Sequence, residues 1–159
     1  MKKIKNPYDN ELNMCFGCSQ KNSIGLKLNF EESEEFLYAT WKPASEHQGY
    51  PNILHGGIIA ALLDEIGGWC ISVKIGTAGV TAEMRTKYLA PVYISKGNIT
   101  LKASIAEKKR KTVIVNCFLY DGQSKICAEA EAEYFIYPQE IAVKKFRYPG
   151  QEAFYFDKE

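Results

Sequence analysis

The sequence predicts an α+β domain in which one antiparallel sheet curls around a single buried helix. Three observations carry that expectation. From Ile58 to Val73 nearly every residue is apolar, with no polar stripe at helical spacing, so a helix over about 55–75 must be buried on all sides. Four long runs follow it, beginning at Val80, Lys96, Thr112 and Ser124, and each alternates apolar and polar residues as a strand with one inward face does. In the last run Ile126, Ala128, Ala130, Ala132 and Tyr134 share a face, and the small alanines leave room for a helix to press against the sheet.

Taken in order, residues 1–25 are polar and broken by Asn6-Pro7, Asn10, Gly17, Asn22 and Gly25, which predicts an irregular arm. Leu26 to Glu31 alternates as a half-buried strand, Glu31-Glu32-Ser33-Glu34-Glu35 forms a solvated acidic turn, and Phe36 to Lys42 returns as a second strand. Pro43 to Leu54 is a loop that delivers the chain to the helix. In the strand from Val80 to Tyr88, Val80, Ala82, Met84, Thr86 and Tyr88 fall on one face and Thr81, Glu83, Arg85 and Lys87 on the other. Pro91 ends it. The strands Lys96–Glu107, Thr112–Tyr120 and Ser124–Tyr137 are joined by Lys108-Lys109-Arg110-Lys111 and by Asp121-Gly122, a hairpin signal. Pro138 breaks the last strand, and the tail to Glu159, rich in Phe and Tyr, packs on the body as an arm or short helix. The expected organisation is one domain: an arm over 1–25, a body over 26–137 and an extension over 138–159.

Composition narrows the function. Hydrophobic residues make up 46% and charged residues 25% of the chain, and the net charge is +1. That balance gives no electrostatic case for nucleic acid or an anionic membrane as partner. The apolar helix is long enough to suggest a membrane span, but Asp64 and Glu65 at its centre and its glycines argue against one. The basic start, Met1-Lys2-Lys3, is followed by no apolar core of a signal peptide, so a cytoplasmic protein is expected. The five cysteines (Cys15, Cys18, Cys70, Cys117 and Cys127) do not fit a secreted disulfide framework, the count being odd and three of them lying in the helix and strands. Cys15 and Cys18 have zinc-like spacing, but a structural site needs four ligands and there is no second Cys-x-x-Cys, so no metal is expected.

The helix itself carries the chemistry. Two adjacent carboxylates lie in its apolar middle, where an unpaired charge is costly. Glycines at 56 and 57, each costing about 1 kcal/mol against Ala in a helix, suggest close approach of something to the backbone. First-turn N–H groups lack partners within the helix and sit at its positive end.

His55-Gly56-Gly57 opening a buried helix, with an acid nine positions after the histidine, resembles the hot-dog-fold thioesterases of the phenylacetate-pathway (PaaI-like) type. Cys15-Phe16-Gly17-Cys18 followed by Asn22 and Gly25-Leu26 is similar to their N-terminal signature, and Val80-Thr81 leading to Tyr88-Leu89-Ala90-Pro91 to their strand after the helix. The resemblance covers residues 15–137. It implies hydrolysis of an acyl or aryl thioester of coenzyme A, with no cofactor beyond the coenzyme A in the substrate. Asp64 would attack the carbonyl or act as base on water. N–H groups at the helix start, Gly56 foremost and Gly57 beside it, would stabilise the oxyanion. His55 would orient that turn or a water, or serve as a structural cap. Gln48 or Asn52 would hold the attacking water. Thr81 would bond the nucleophile or a water, or is simply a β-branched strand residue. Lys109, Arg110 and Lys111 would hold coenzyme A phosphates, or are a solvated hairpin tip. Glu65, about 100° round the helix from Asp64, is expected to be a buried structural carboxylate paired with Arg85. Trp69, Tyr50 and Met84 would line an acyl pocket or the core.

Gly56 and Asp64 are eight residues apart, which is about 12 Å along one helix. They cannot touch the same carbonyl, so the reading requires a homo-oligomer, dimer or tetramer, with sites at the dimer interface. Two other functions share the fold: an acyl-thioester dehydratase or hydratase pairing His47 with Asp64 or Glu65, and a non-catalytic acyl-coenzyme A-binding protein.

Overall fold

The computed structural model describes residues 1–8 and 12–157; Asn10 of the expected arm and Glu159 of the tail lie outside the described residues. Helix α1, Gly56–Cys70, continues as a π turn over Ile71–Ile75 and is closed by Gly76 at φ +80°, a conformation that suits glycine. Around it runs one antiparallel sheet: β1 (Lys2–Ile4), β2 (Phe30–Glu32), β3 (Leu37–Trp41), β4 (Gly79–Tyr88), β5 (Ile99–Lys108), β6 (Thr112–Tyr120) and β7 (Ile126–Ile136). The order across the sheet is β1-β2-β3-β5-β6-β7-β4. Helix α1 touches β3 through β7, so the sheet wraps it, and β4 is left at the end with an open outer edge.

The helix–sheet contact is built as the patterning requires. Leu62, Leu63 and Ile66 are fully buried on α1, and they meet the inward rows of β5 (Ile99, Leu101, Ala103), β6 (Val113, Val115, Cys117, Leu119) and β7 (Ala128, Ala130, Ala132). The alanine row lets the helix backbone come close to the sheet. Among the described residues no helix is long and apolar enough to cross a membrane.

Three local expectations change. Leu26–Asn29 does not join the ladder, although Leu26 and Leu28 are buried as their alternation required. Lys27 sits at φ +55°, and the N–H groups of Leu26 and Leu28 bond the carbonyls of Phe16 and Gly17 in the arm at 2.7 and 3.0 Å. The arm in turn supplies β1, with Ile4 opposite Phe30. Nor is the acidic turn wholly solvated. Lys74 Nζ donates to Glu32 Oε2 at 2.8 Å and to the Ser33 carbonyl at 2.6 Å, fastening β2 to the end of the helix.

The tail folds as a short helix α2, Gln139–Phe146, and a 3-10 turn over Gln151–Phe154. Its polar side chains satisfy carbonyls at the helix end, as buried termini require. Tyr148 OH donates to Ser72 O, Gln151 Nε2 to Val73 O and Gln139 Nε2 to Gly76 O. If the small alanines set the helix–sheet distance, Ala132→Leu should destabilise the fold by about 1–3 kcal/mol. Urea unfolding reads this, and an unchanged midpoint would contradict it.

Candidate active site

Asp64 lies in the middle of α1, half-buried, and its carboxylate is held from two strands. Thr81 Oγ1 donates to Asp64 Oδ1 at 2.7 Å. Tyr134 OH lies 3.1 Å from the same oxygen and 2.9 Å from the Asp64 backbone carbonyl. Hydrogen bonds to a charged group are worth roughly 1.5–3 kcal/mol each, enough to keep the carboxylate in one orientation. Oδ2 has no protein partner among the described residues. One oxygen is anchored and the other is available.

A β-bulge brings Thr81 to Asp64. Thr81 pairs with Tyr134 and Glu83 with Glu133, so Ala82 has no rung of its own. The inserted residue reverses the alternation. Thr81 thereby shares the inward face with Met84, Thr86 and Tyr88, which oppose Ala132, Ala130 and Ala128, whereas strict alternation had set Thr81 on the opposite face. Tyr134 was placed on the inward face by its pattern but not assigned to the site; its position opposite Thr81 was the missing information. Burial, and after it the Asp64 charge, push the Tyr134 phenol up, so it stays a donor. Gly67 makes the approach possible: a Cβ there would collide with Tyr134 OH.

At the start of α1 the free N–H groups can be accounted for one by one. His55 is the N-cap, and its Nδ1 accepts from Gly57 N at 2.8 Å, which leaves the ring proton on Nε2. Ile58 N and Ile59 N both donate to His55 O. Gly56 N–H alone has no partner among the described residues. Of the two expected donors, then, Gly57 is engaged in the cap and Gly56 is free at the positive end of the helix. A Cβ at Gly57 would lie 3.0 Å from His55 Nδ1, so glycine there permits the cap. Tyr88 OH donates to Gly56 O at 2.9 Å and ties the helix start to β4.

Glu65 does not pair with Arg85. Arg85 lies on the outward face of β4, opposite Glu131, and reaches Glu83 at 3.7 Å in solvent. Glu65 turns instead to the arm: its Oε1 accepts from Trp69 Nε1 at 3.0 Å and lies 3.5 Å from Cys15 Sγ. Burial, then the nearby Cys15 charge, pushes the Glu65 carboxyl up to about 7. The Cys18 thiol and the Cys18 and Gly17 backbone N–H groups hold Cys15 down to about 5, while Cys18 itself is raised. Gly17 leaves space for this contact, since a Cβ there would collide with the Glu65 carboxylate.

The remaining expected residues divide. Gln48 and His55 line an open cleft of about 400 Å³ beside the helix start with Gly57 and Ile58. Gln48 Oε1 accepts from Asn52 N at 3.1 Å. Asn52 uses both ends of its amide on Ser95, which fixes a loop residue at φ +62°. His47 packs its ring, tilted by 49°, against Trp41 at 4.7 Å and accepts from Ala44 N, and it bonds neither Asp64 nor Glu65. Arg110 and Lys111 line a groove of about 670 Å³ with Lys108 and Phe135 near the start of β4, and Lys109 is at the hairpin tip without lining it. Trp69 is core, stacked on Phe30 at 4.2 Å; Met84 packs against the core and Tyr50 is exposed.

One buried helix in a wrapped antiparallel sheet defines a hot-dog fold, here with a clamped carboxylate at the helix centre and an open N–H at its start. The comparisons agree. Residues 51–128 match the profile of the Thioesterase superfamily. A Saccharolobus solfataricus protein, provisionally named an esterase, is 30% identical over 86 residues, 54% of this chain; the chain spans only 56% of that relative. A Pseudomonas aeruginosa thioesterase, solved as a Gln-to-Ala variant, superposes with a TM-score of 0.66 at 25% identity, covering 75% of this chain and 88% of that one. A Streptococcus mutans protein solved with acetyl CoA gives a TM-score of 0.64 at 21% identity over 70% and 90% of the two chains.

Gly→Ala inside a helix normally gains about 1 kcal/mol. Gly67→Ala should instead destabilise this protein, because Tyr134 OH occupies the space, and the loss should shrink or reverse in a Tyr134→Phe background. Chemical unfolding of the single and double variants checks it; stabilisation by Gly67→Ala alone would contradict the packing.

Proposed function

We propose that this chain hydrolyses acyl or aryl thioesters of coenzyme A. The observation that carries the reading is the asymmetric clamp on Asp64, with Oδ1 held by Thr81 and Tyr134 and Oδ2 open. Oδ2 either takes a proton from the water that attacks the carbonyl, so that the C–S bond breaks to give the acid and the thiolate takes up that proton, or attacks the carbonyl itself, expelling the thiolate and forming a mixed anhydride that water then hydrolyses to the acid. Gly56 N–H receives the developing oxyanion. His55 positions that donor by capping the turn, and Gln48, in the same cleft, orients the water or substrate. The superfamily match and the acetyl CoA bound by the Streptococcus mutans relative support the substrate class. Lys108, Arg110 and Lys111 offer charge to coenzyme A phosphates, with Lys109 beside them. The reaction needs no cofactor, and five unpaired cysteines suit the reducing cytoplasm.

The active unit in this reading is a homodimer. Asp64 and Gly56 stand about 12 Å apart on one helix, too far to share a carbonyl. The open edge of β4 favours pairing with a second copy. Antiparallel pairing about a two-fold axis would set the Thr81 end of one β4 against the Tyr88 end of the other. Thr81 holds Asp64 and Tyr88 holds Gly56, so each site would combine Asp64 with the partner subunit's Gly56.

Free thiol released from a panel of short, medium, long-chain and aryl coenzyme A thioesters tests the reaction. Asp64→Asn, which keeps size and removes charge, should lower the rate about a hundredfold or more. Equal rates in variant and wild type would remove Asp64 from the mechanism. Binding without hydrolysis by the wild type would leave a non-catalytic acyl-coenzyme A-binding protein.

A further inference from the structure

Cys15, Cys18 and Glu65 form a cluster that the proposed hydrolysis does not use. One ligand atom from each lies within 4.8 Å of the others. Two ligands come from the Cys-x-x-Cys of the arm and the third from the centre of α1, a convergence that the cysteine spacing alone could not reveal. We propose that Cys15 Sγ, Cys18 Sγ and a Glu65 carboxylate oxygen bind one thiophilic divalent cation of the zinc class, which clasps the arm to the helix.

Five features support this. Ligand atoms about 2.0–2.3 Å from a shared tetrahedral ion lie under 4 Å from each other, so closing the cluster needs only small side-chain movements. Two sulfurs and one oxygen select a soft or borderline ion over magnesium or calcium. Among the described residues no cationic side chain forms a salt bridge with Glu65, so no protein cation competes for its carboxylate. Trp69 Nε1, bonded to Glu65 Oε1, orients the carboxylate as the outer partners of metal ligands do, and Gly17 keeps the space between arm and helix open. Cys15 and Glu65 are only half-buried, which leaves a fourth position for water. Glu65 points about 100° away from Asp64 round the helix, so the ion serves structure and not thioester chemistry.

The test is titration of the reduced full chain with Cd²⁺, followed by thiolate-to-cadmium charge-transfer absorbance, with Zn²⁺ as competitor. The absorbance should saturate at one ion per chain and vanish in both Cys15→Ser and Cys18→Ser. Cys127→Ser, outside the cluster, should keep it, and Glu65→Gln should weaken binding roughly tenfold. Should a cysteine variant fail to fold, alkylation of the wild type mapped by peptide mass gives the same answer. Zn²⁺ should slow labelling of Cys15 about tenfold or more, and a chelator should restore it. Absence of saturable absorbance, its persistence in both cysteine variants, or a Cys15–Cys18 disulfide whose reduction yields no metal-binding form would overturn the proposal.

Discussion

A carboxylate in the middle of a helix that a sheet encloses must be answered by that sheet, and much of this structure is the answer to Asp64. A carboxylate half-buried there gives up part of its hydration and needs donors in its place. Thr81 and Tyr134 supply the compensating donors, and each needs a departure from regular structure to reach it. Thr81 arrives because Ala82 is bulged out of the β4–β7 ladder. Tyr134 arrives because Gly67, one turn beyond Asp64, has no side chain to obstruct it. The alanine row of β7 lets the helix sit close enough for both contacts. Irregularities that would each destabilise an ordinary helix or strand are thus linked to one functional group.

Regular periodicity explains which parts were legible in the sequence. The helix, β6 and the register of inward residues on β5 and β7 follow from apolar spacing, because a half-buried strand has one dominant pattern. Leu26–Asn29 shows the limit: alternation reported that Leu26 and Leu28 are buried, but not that their backbone bonds the arm, since Lys27 turns to a positive φ. The bulge at Ala82 was invisible for a related reason. One inserted residue reverses the face of everything before it, and no residue type marks the insertion. The motif and its resemblance single out Asp64 and Thr81, whose hydrogen bond the structure shows, whereas the contacts of Tyr134 and Gly67 need the register of two strands. Glu65 is half-buried, and in place of the expected Arg85 its partners are Trp69 and Cys15, the latter 50 residues away in the chain.

The helix start shows how hydrogen-bond accounting sharpens a motif. His55-Gly56-Gly57 suggests two glycine donors. The His55 cap consumes the Gly57 N–H and the His55 carbonyl takes the next two, which leaves Gly56 as the one open donor of that turn among the described residues. Capping stabilises the helix by about 1 kcal/mol. In the proposed reaction it also restricts oxyanion binding to a single backbone position, and that position is joined to Asp64 by a rigid helix of fixed rise. From this follows the central claim, that a complete site needs two chains.

Subunit complementation tests that claim most directly. Gly56→Pro removes only the N–H, at the first helical position where proline is well tolerated and after a residue already in extended backbone. Thioesterase activity would be measured for this variant, for Asp64→Asn, and for purified mixed dimers of the two. If each site joins Asp64 to the partner's Gly56, the two homodimers are inactive and the mixed dimer regains about half the wild-type rate, through its one intact site. A mixed dimer as inactive as its parents would contradict the shared site and return Asp64 and Gly56 to separate roles within one chain.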